Sequence, residues 1–203
     1  MRYMADLQVD LDDVATLAIA EALSSPTMGE FSREGFVQGW KSSKLASRSP
    51  VELHNKLMAP PSADTLAKQQ AAVAGFRTRL TTDTDFFKRV YKHTFLIART
   101  PGQKAVALDA AIEFWRLLFS PPSISWNTAT TPWLDWWIEY LESKWKKTVN
   151  KDMWEQTLVF SQKSLQDETM SWWSEDGAWP GVLDEFVAHV NERKGDEGKM
   201  DVE

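Results

Sequence analysis

The side chains of this sequence that could do chemistry are carboxylates set among tryptophans near the C-terminal end. The stretch 172–186 reads W-W-S-E-D-G-A-W-P-G-V-L-D-E-F. Asp184 stands six residues after Ala178, so a small residue at a helix mouth can lie near a carboxylate about a turn and a half further along. We predict a shallow, negatively charged surface over a floor of indole rings. Such a surface suits a basic protein partner better than a buried reaction centre.

Local signals place this stretch between two helices. Gly177 is predicted to end one helix, since glycine is common just after a helix. Pro180 suits the first turn of the next helix, where its missing N–H is not needed. Helical spacing leaves Asp184 and Glu185 off the apolar face of that second helix. Four side chains form the face: Leu183, Phe186, Val187 and Val190.

Acidic charge is concentrated in the last quarter of the chain. The formal net charge is −6, which argues against a nucleic-acid-binding protein, whose contact surface would be basic. Residues 152–203 contain thirteen Asp and Glu side chains against four Lys and Arg, whereas residues 1–151 carry a small basic excess. Residues 192–203 fit a charged, frayed tail. In the segment before them the carboxylates alternate with Trp, Leu and Phe.

Most constellations of catalytic or metal-binding residues are missing from the sequence. There is no cysteine, which excludes disulfides, thiolate metal ligands and a cysteine thioester intermediate. No G-x-S-x-G elbow or glycine-rich phosphate loop is present. The three histidines have no H-E-x-x-H spacing, which argues against a zinc site: His54, His93 and His189.

Two acidic patterns could suggest other chemistry. The aspartates at 10–13 and 83–85 lack the ligand spacing and the turn glycine of a calcium-binding loop, so calcium binding is not expected. Carboxylates beside many tryptophans could suggest a glycosidase, although an aspartate on a helix surface is more often only a solvated group. We therefore predict no metal, no cofactor and no catalytic residue.

The elements that must position these residues are helices. Of the 203 residues, 43% are hydrophobic and 11 are tryptophans, a composition typical of a globular protein with a sizeable core. No alternation of strand type and no repeat of fixed length occurs. We predict an all-α protein, in which 105–108 could be one short extended piece.

Periodicity and capping residues give the predicted helix limits. Ser32, Asp109, Asn150 and either Thr82 or Asp83 are predicted N-caps, and 121–132 is a loop. One helix carries Trp133, Trp137, Leu141 and Trp145 at a period of four. The helices are predicted at 12–23, 33–40, 49–59, 62–80, 84–98, 110–119, 133–145, 151–165 and from 180 onward.

Targeting signals are not apparent. Nothing at the N-terminus resembles a signal peptide, and no apolar run approaches membrane-spanning length. We expect a soluble protein of the cytoplasm, the nucleus or both, with neither a membrane nor a nucleic acid as partner.

Five short motifs together resemble the potentiating-neddylation domain, which defines the defective-in-cullin-neddylation family. They are F-K-R-V-Y at 87–91, P-G-Q-K at 101–104, A-I-E-F-W at 111–115, K-D-x-W at 151–154 and D-G-A-W-P at 176–180. Each motif alone is weak, but they occur in the family's order, and the similarity covers about residues 7–190.

The resemblance implies a fold and a domain organisation. We expect EF-hand-like helix-loop-helix pairs that lack metal ligands, packed on a C-terminal helical subdomain. The domain would span 1–191, with part of its first helical pair lying upstream of Met1, and 192–203 would be a charged disordered tail. A monomer is expected.

The resemblance also implies a function that needs no covalent chemistry. Family members are scaffold-type ligase components, which bring a cullin together with the conjugating enzyme that carries the ubiquitin-like modifier. The absence of cysteine agrees with this role, because the chain cannot take the modifier as a thioester. The alternative is a non-catalytic helical interaction module for another basic partner.

Two binding sites follow from the resemblance. An Asp-Ala-Asp patch would bind the cullin's C-terminal winged-helix domain, and its matching residues are Asp152, Ala178 and Asp184. If the resemblance to the family is set aside, Asp152 would only stabilise the N-terminus of its helix through its negative charge.

The second implied site is an apolar pocket for the acetylated N-terminal methionine of the conjugating enzyme. Acetylation matters because a free ammonium in an apolar pocket carries a heavy desolvation cost. Read without the family, the matching residues would simply be core: Thr16, Ile19, Met28, Phe31, Ile97, Phe114 and Leu117.

Overall fold

The chain folds into helices joined by turns. The structure, a computed structural model, describes residues 2–42, 63–174 and 176–200. These ranges contain no strand, and the one isolated antiparallel bridge in them joins Val106 to Val149, so the predicted all-α class is confirmed. The helices are α1 Arg2–Asp6, α2 Ala15–Ala22, α3 Arg33–Lys41, α4 Leu66–Thr82, α5 Thr84–Ala98, α6 Leu108–Leu118, α7 Trp133–Tyr140, α8 Lys151–Gln166 and α9 Gly181–Met200.

Side-chain caps start three helices where the sequence predicts them. In each, the cap oxygen accepts a hydrogen bond from the backbone N–H three residues on, which satisfies one donor that the helix cannot. The bonds are Gly35 N–H to Ser32 Oγ at 3.0 Å, Phe86 N–H to Asp83 Oδ1 at 2.9 Å, and Met153 N–H to Asn150 Oδ1 at 2.8 Å. The prediction for Asp109 is wrong: α6 begins at Leu108, so Asp109 lies in its first turn.

Several predicted limits differ from the observed ones. Helix α2 begins at Ala15 because Asp13 Oδ1 accepts the Ala15 N–H at 2.8 Å. Helix α4 begins at Leu66 because the Thr65 hydroxyl accepts a hydrogen bond from the backbone of the first turn. The five-residue α1, missed from the sequence, is too short to show a clear period. The helix predicted at 49–59 lies outside the described residues.

The stretch around Gly177 also differs from its prediction. Helix α8 ends at Gln166, so Gly177 stands in a loop and does not end a helix. Pro180 immediately precedes α9 instead of lying in its first turn, and its carbonyl accepts the Leu183 N–H at 2.8 Å. Helix α9 continues to Met200 and overlaps the tail predicted at 192–203.

Residues 133–145, whose apolar side chains repeat every four positions, form two kinds of helix. An α-helix advances about 100° per residue, so a strict repeat of four drifts by about 40° at each step. The chain winds as an α-helix to Tyr140 and then makes one π turn over Leu141–Trp145, which is wider than an α turn. Lys146 ends the turn with φ 54°, and its N–H donates to Leu141 O at 3.0 Å.

The chain divides into two compact units. Unit 1 comprises Met1–Thr100 and Leu117–Ile124, and unit 2 comprises Pro101–Arg116 and Ser125–Glu203. No helix in the described ranges is both long and apolar enough to cross a membrane.

Unit 1 is built around α2, which packs against α4 and α5. Six of the eight α2 residues are buried apolar side chains, as its Ala-rich sequence allows. Arg77 of α4 holds Asp13 with an Nη2–Oδ2 distance of 2.6 Å. Tyr3 anchors α1 to α4, because its hydroxyl donates a hydrogen bond to Gln69 Oε1 at 2.9 Å.

Unit 2 has a core of tryptophan. Trp115 and Trp154 stack with their ring centroids 5.0 Å apart. The buried face of α8 carries small hydroxyl residues, which leave space for the rings. Their hydroxyls donate hydrogen bonds to backbone carbonyls of the same helix: Thr157, Ser161 and Ser164. Trp126 Nε1 donates to Ser164 Oγ at 2.9 Å, so this buried indole nitrogen is satisfied.

Candidate acidic interface

The first carboxylate of the candidate patch stands at the start of α8. Asp152 is exposed in the first turn of the helix, behind the Asn150 cap. A negative side chain is favourable there because the first turn carries the positive end of the helix dipole. Asp152 forms no ion pair among the described residues, so its charge is open to solvent.

Ala178 is exposed on a loop that α8 holds through one aromatic residue. Phe160 is fully buried, and its ring lies 5.4, 5.8 and 6.3 Å from those of Trp172, Trp173 and Trp179. Trp173 and Trp179 stack at 5.1 Å. The predicted floor of indole rings is therefore present beside Ala178, with each of the three tryptophans half-buried.

Gly177 sets the backbone just before Ala178. A Cβ at this position would lie 2.7 Å from Trp179 Cδ1 and 2.8 Å from Ser174 O, both too close for a real side chain. The Gly177 N–H donates to Ser174 O at 2.9 Å. A residue without a side chain thus lets the loop turn tightly against the Trp179 ring.

Asp167, which was not predicted from the sequence, stabilises the start of this loop, directly after α8. Its carboxylate accepts from the N–H and hydroxyl of Thr169 at 2.9 and 2.6 Å, and from those of Ser171 at 3.0 and 2.5 Å. The hydrogen bonds from Ser171, and then those from Thr169, lower the pKa of Asp167 to about 2. The signal in the sequence was D-x-T-x-S, a pattern in which aspartate bonds its own turn.

Asp184 is half-buried in the first turn of α9. Helix α9 is held by Phe186, whose ring lies 4.9 Å from that of Trp137 and 5.6 Å from that of Phe160. The four apolar residues predicted to form the inner face of α9 are all buried. Asp184 Oδ1 is buried and has no hydrogen-bond partner among the described residues. An unpaired buried carboxylate oxygen is costly.

The three residues of the predicted acidic patch, Asp152, Ala178 and Asp184, all lie in unit 2. Asp152 and Asp184 begin two helices, and Ala178 lies on the loop that precedes the second. Phe160 contacts both that loop and α9, which gives the arrangement a common support. The assignment of these three residues as a binding site remains a prediction.

The residues predicted to form the methionine pocket differ widely in exposure. Ile19 and Ile97 are buried in the core of unit 1, Thr16 and Phe31 are half-buried, and Met28 is 45% exposed. Phe114 and Leu117 are half-buried on α6, where Phe114 belongs to unit 2 and Leu117 to unit 1. The pocket also remains a prediction.

Metal ligands do not converge in the part of the chain that the structure describes. No group of three or more His, Asp or Glu side chains is placed there to hold an ion. His93 and His189 lie within those ranges, whereas His54 falls outside them.

The fold is that of an all-helical protein in the residues described, and two of the three predicted patch residues are carboxylates. This chain belongs to the cullin-binding family, whose model matches residues 68–189. The match contains all three residues of the acidic patch, as well as Ile97, Phe114 and Leu117 of the predicted pocket.

Curated relatives agree with this membership. The chain is 36% identical over 197 residues to "Defective in cullin neddylation protein 1" of Pyricularia oryzae, covering 92% of this chain and 64% of the relative. Proteins of the same name from Yarrowia lipolytica and Cryptococcus neoformans are 29% and 32% identical, with 95% and 92% of this chain covered and 69% and 67% of the relatives. The chain thus spans about two thirds of the length of these relatives.

Proposed function

We propose that this protein promotes neddylation of cullins as a non-covalent scaffold. The observation that carries the proposal is Asp184, a half-buried carboxylate in the first turn of α9 that forms no ion pair among the described residues. A Lys or Arg side chain of the cullin's C-terminal winged-helix domain would pair with this carboxylate. Charge-assisted hydrogen bonds of this kind are about twice as strong as neutral ones.

Asp152 and Ala178 complete the proposed cullin site. Asp152 adds a second, exposed carboxylate, which steers a basic partner more than it tightens the complex. Ala178 is exposed and small, so a partner backbone can approach closely beside Asp184. The membership in the cullin-binding family supports a cullin as the basic partner.

The conjugating enzyme would bind through unit 1 with its acetylated N-terminal methionine. Met28 and Phe31 lie in the loop between α2 and α3 and keep part of their surface exposed, so this loop offers accessible members of the predicted pocket. Holding cullin and conjugating enzyme on one scaffold raises their effective concentration and orients the acceptor lysine against the thioester. The chain itself takes no covalent part, and it has no cysteine.

A modifier-transfer assay tests the proposal. It contains a cullin with its winged-helix domain, the acetylated and modifier-charged conjugating enzyme, and this protein added or omitted. We expect faster transfer with the wild-type protein, and at least a tenfold loss of cullin affinity in Asp184→Asn, which keeps the side-chain shape. Losing one partner of a buried charge pair typically costs about 2–5 kcal/mol. Asp135→Asn is the matched control, since Asp135 is an exposed aspartate in the first turn of α7.

Each of the other outcomes of the transfer and binding assays would reject a different part of the proposal. Equal affinity in the wild type and Asp184→Asn would reject the cullin site. Cullin binding without faster transfer would leave a helical interaction module as the function. No cullin binding by the wild-type protein would reject the scaffold role altogether.

A further inference from the structure

Three lysines between α7 and α8 form an exposed basic segment that the proposed function does not use. Lys144, Lys146 and Lys147 are all exposed. None of the ion pairs among the described residues includes them, and the neighbouring Lys151 contacts Glu155 only at 3.8 Å. The basic segment therefore presents uncompensated positive charge in a protein whose net charge is −6.

The backbone of the basic segment is fixed at both ends. Leu141 and Val149 are fully buried, and Val149 exchanges two backbone hydrogen bonds with Val106, of 2.8 and 2.9 Å. Lys146 has the left-handed conformation, φ 54° and ψ 26°, which is strained for an L-residue and is usually adopted by glycine. A lysine therefore stands where the backbone favours glycine, and its charge is kept at a cost in stability.

One ammonium is also held in place by a ring. Lys147 Nζ lies 4.5 Å from the centroid of the Trp145 ring, a cation–π contact that restrains the side chain. The basic segment consequently has a fixed backbone, and one of its three ammonium groups is restrained.

The basic segment adjoins the acidic patch along the chain. Asp152 stands five residues after Lys147, on the far side of the Asn150 cap. Five residues span at most about 18 Å, so a domain-sized partner docked on Asp152 is large enough to reach the lysines as well. Since basic groups of that partner would be repelled by them, the most favourable partner surface carries acidic side chains beside its basic ones.

We propose that Lys144, Lys146 and Lys147 form a second contact surface, which binds acidic side chains of the same protein that docks on Asp152 and Asp184. This inference rests on the proposed function and names a further part of the same interface. A protein surface fits better than a nucleic acid or an anionic membrane. The strong acidic excess of residues 152–203 would repel a long polyanion, whereas a few carboxylates beside basic groups would match both signs.

Charge reversal tests this surface with the cullin winged-helix domain as the probe. The variant K144E/K146E/K147E is compared with K41E/K92E/K104E, which reverses three other exposed lysines and has the same net charge. We expect the first variant to lose at least tenfold in affinity, chiefly through a slower association rate, and the control to stay within about twofold. Circular dichroism checks that both variants keep their helices, and the neutral variant K144Q/K146Q/K147Q should give an intermediate loss.

Cross-linking identifies the groups that meet. A carbodiimide joins carboxylates directly to lysines, so the wild-type complex should yield links from Lys144, Lys146 or Lys147 to Asp or Glu of the cullin domain. Mass spectrometry would locate both ends.

The outcomes separate this inference from the proposed function. Equal affinity in the two triple variants, or cullin links to Asp152 and Asp184 alone, would overturn the lysine surface while leaving the scaffold role standing. Tighter binding of K144E/K146E/K147E would overturn it as well. If the wild-type protein does not bind the cullin domain, the scaffold role and this inference fall together.

Discussion

Tyr140 of α7 donates a hydrogen bond to Glu185 of α9, with 2.7 Å between its hydroxyl oxygen and Glu185 Oε2. The Tyr140 ring is buried and lies 5.7 Å from that of Phe186. Of two adjacent carboxylates at the start of α9, Glu185 thus serves the fold, while Asp184 keeps a buried oxygen without a partner among the described residues.

Removing the Tyr140 hydroxyl should weaken the fold without touching the acidic patch. We expect Tyr140→Phe to lower the free energy of unfolding by about 1.5–3 kcal/mol, the range for a hydrogen bond to a charged group. Chemical denaturation at pH 7 measures the change. Cullin affinity should stay within twofold of wild type, and a large drop would mean that the pair also shapes the binding surface.

Tyr140 should also make the protein labile to alkali. Burial, and then the Glu185 carboxylate, raise the pKa of Tyr140. A raised pKa gives stability that is fully present below the unfolded value of about 10 and is lost as pH rises towards the folded value. We expect the midpoint of urea denaturation to fall above pH 10, and to fall less in Tyr140→Phe. Burial raises the pKa of Tyr3 to about 12, so part of the loss should persist in the variant. Identical pH profiles would contradict the prediction.

Asp167 should matter at the acidic end of the pH range. Its pKa of about 2 lies below the unfolded value of about 3.9, so its stabilising effect is fully present above that value and disappears as pH falls through 2. We expect Asp167→Asn to melt at a lower temperature at pH 7, with the difference closing near pH 2. Asp176→Asn, an exposed aspartate of the same loop, is the control. A difference that does not change with pH would rule out the carboxylate as its source.

Phe160 should be a costly side chain to remove from unit 2. Its ring contacts the tryptophans of the loop and Phe186 of α9, and it is fully buried. We expect Phe160→Ala to lower the free energy of unfolding by about 3–5 kcal/mol through the cavity it leaves. Val159→Ala, at a site 38% exposed, should change it by less than about 1 kcal/mol. Similar losses in the two variants would show that the ring is not the support of the loop.

The predicted methionine pocket can be tested at its most exposed member. We expect an acetylated N-terminal peptide of the conjugating enzyme to bind the wild-type protein, and Met28→Ala to weaken it by about threefold to tenfold through lost apolar contact. Leu66→Ala is the matched control, since both side chains are 45% exposed. Fluorescence anisotropy measures both, and equal binding of acetylated and unacetylated peptides would reject the pocket.

Helix class and the inner faces of helices could be predicted because they depend on local sequence. Ser32, Asp83 and Asn150 cap where predicted, since a cap needs only a backbone N–H three residues on. The face of α9 that carries Leu183 and Phe186 is buried as its spacing predicts. Gly177 was misassigned because glycine suits both a helix end and a tight loop, and the contact with Trp179 that decides between them depends on the tertiary fold.

The candidate site, too, could be predicted from the sequence only in part. Asp152, Ala178 and Asp184 were selected through the resemblance to the family, and their role as a binding site stays a prediction. The unpaired state of Asp184 Oδ1 and the pairing of Glu185 with Tyr140 could not be predicted, because the two acids are neighbours and differ only in what surrounds them. Similarly, the left-handed backbone at Lys146 follows from the π turn before it, which a period of four does not specify.

The bridge between Val106 and Val149 has a consequence for the order in which the chain folds. These residues are far apart in the sequence, and both α6 and α7 lie between them, so their two hydrogen bonds close a long loop at a high entropic cost. We expect them to form after the folding transition state, so that Val149→Ala chiefly speeds unfolding and leaves the refolding rate almost unchanged in stopped-flow measurements. The stretch that carries the exposed lysines would then be among the last parts of unit 2 to gain its final shape.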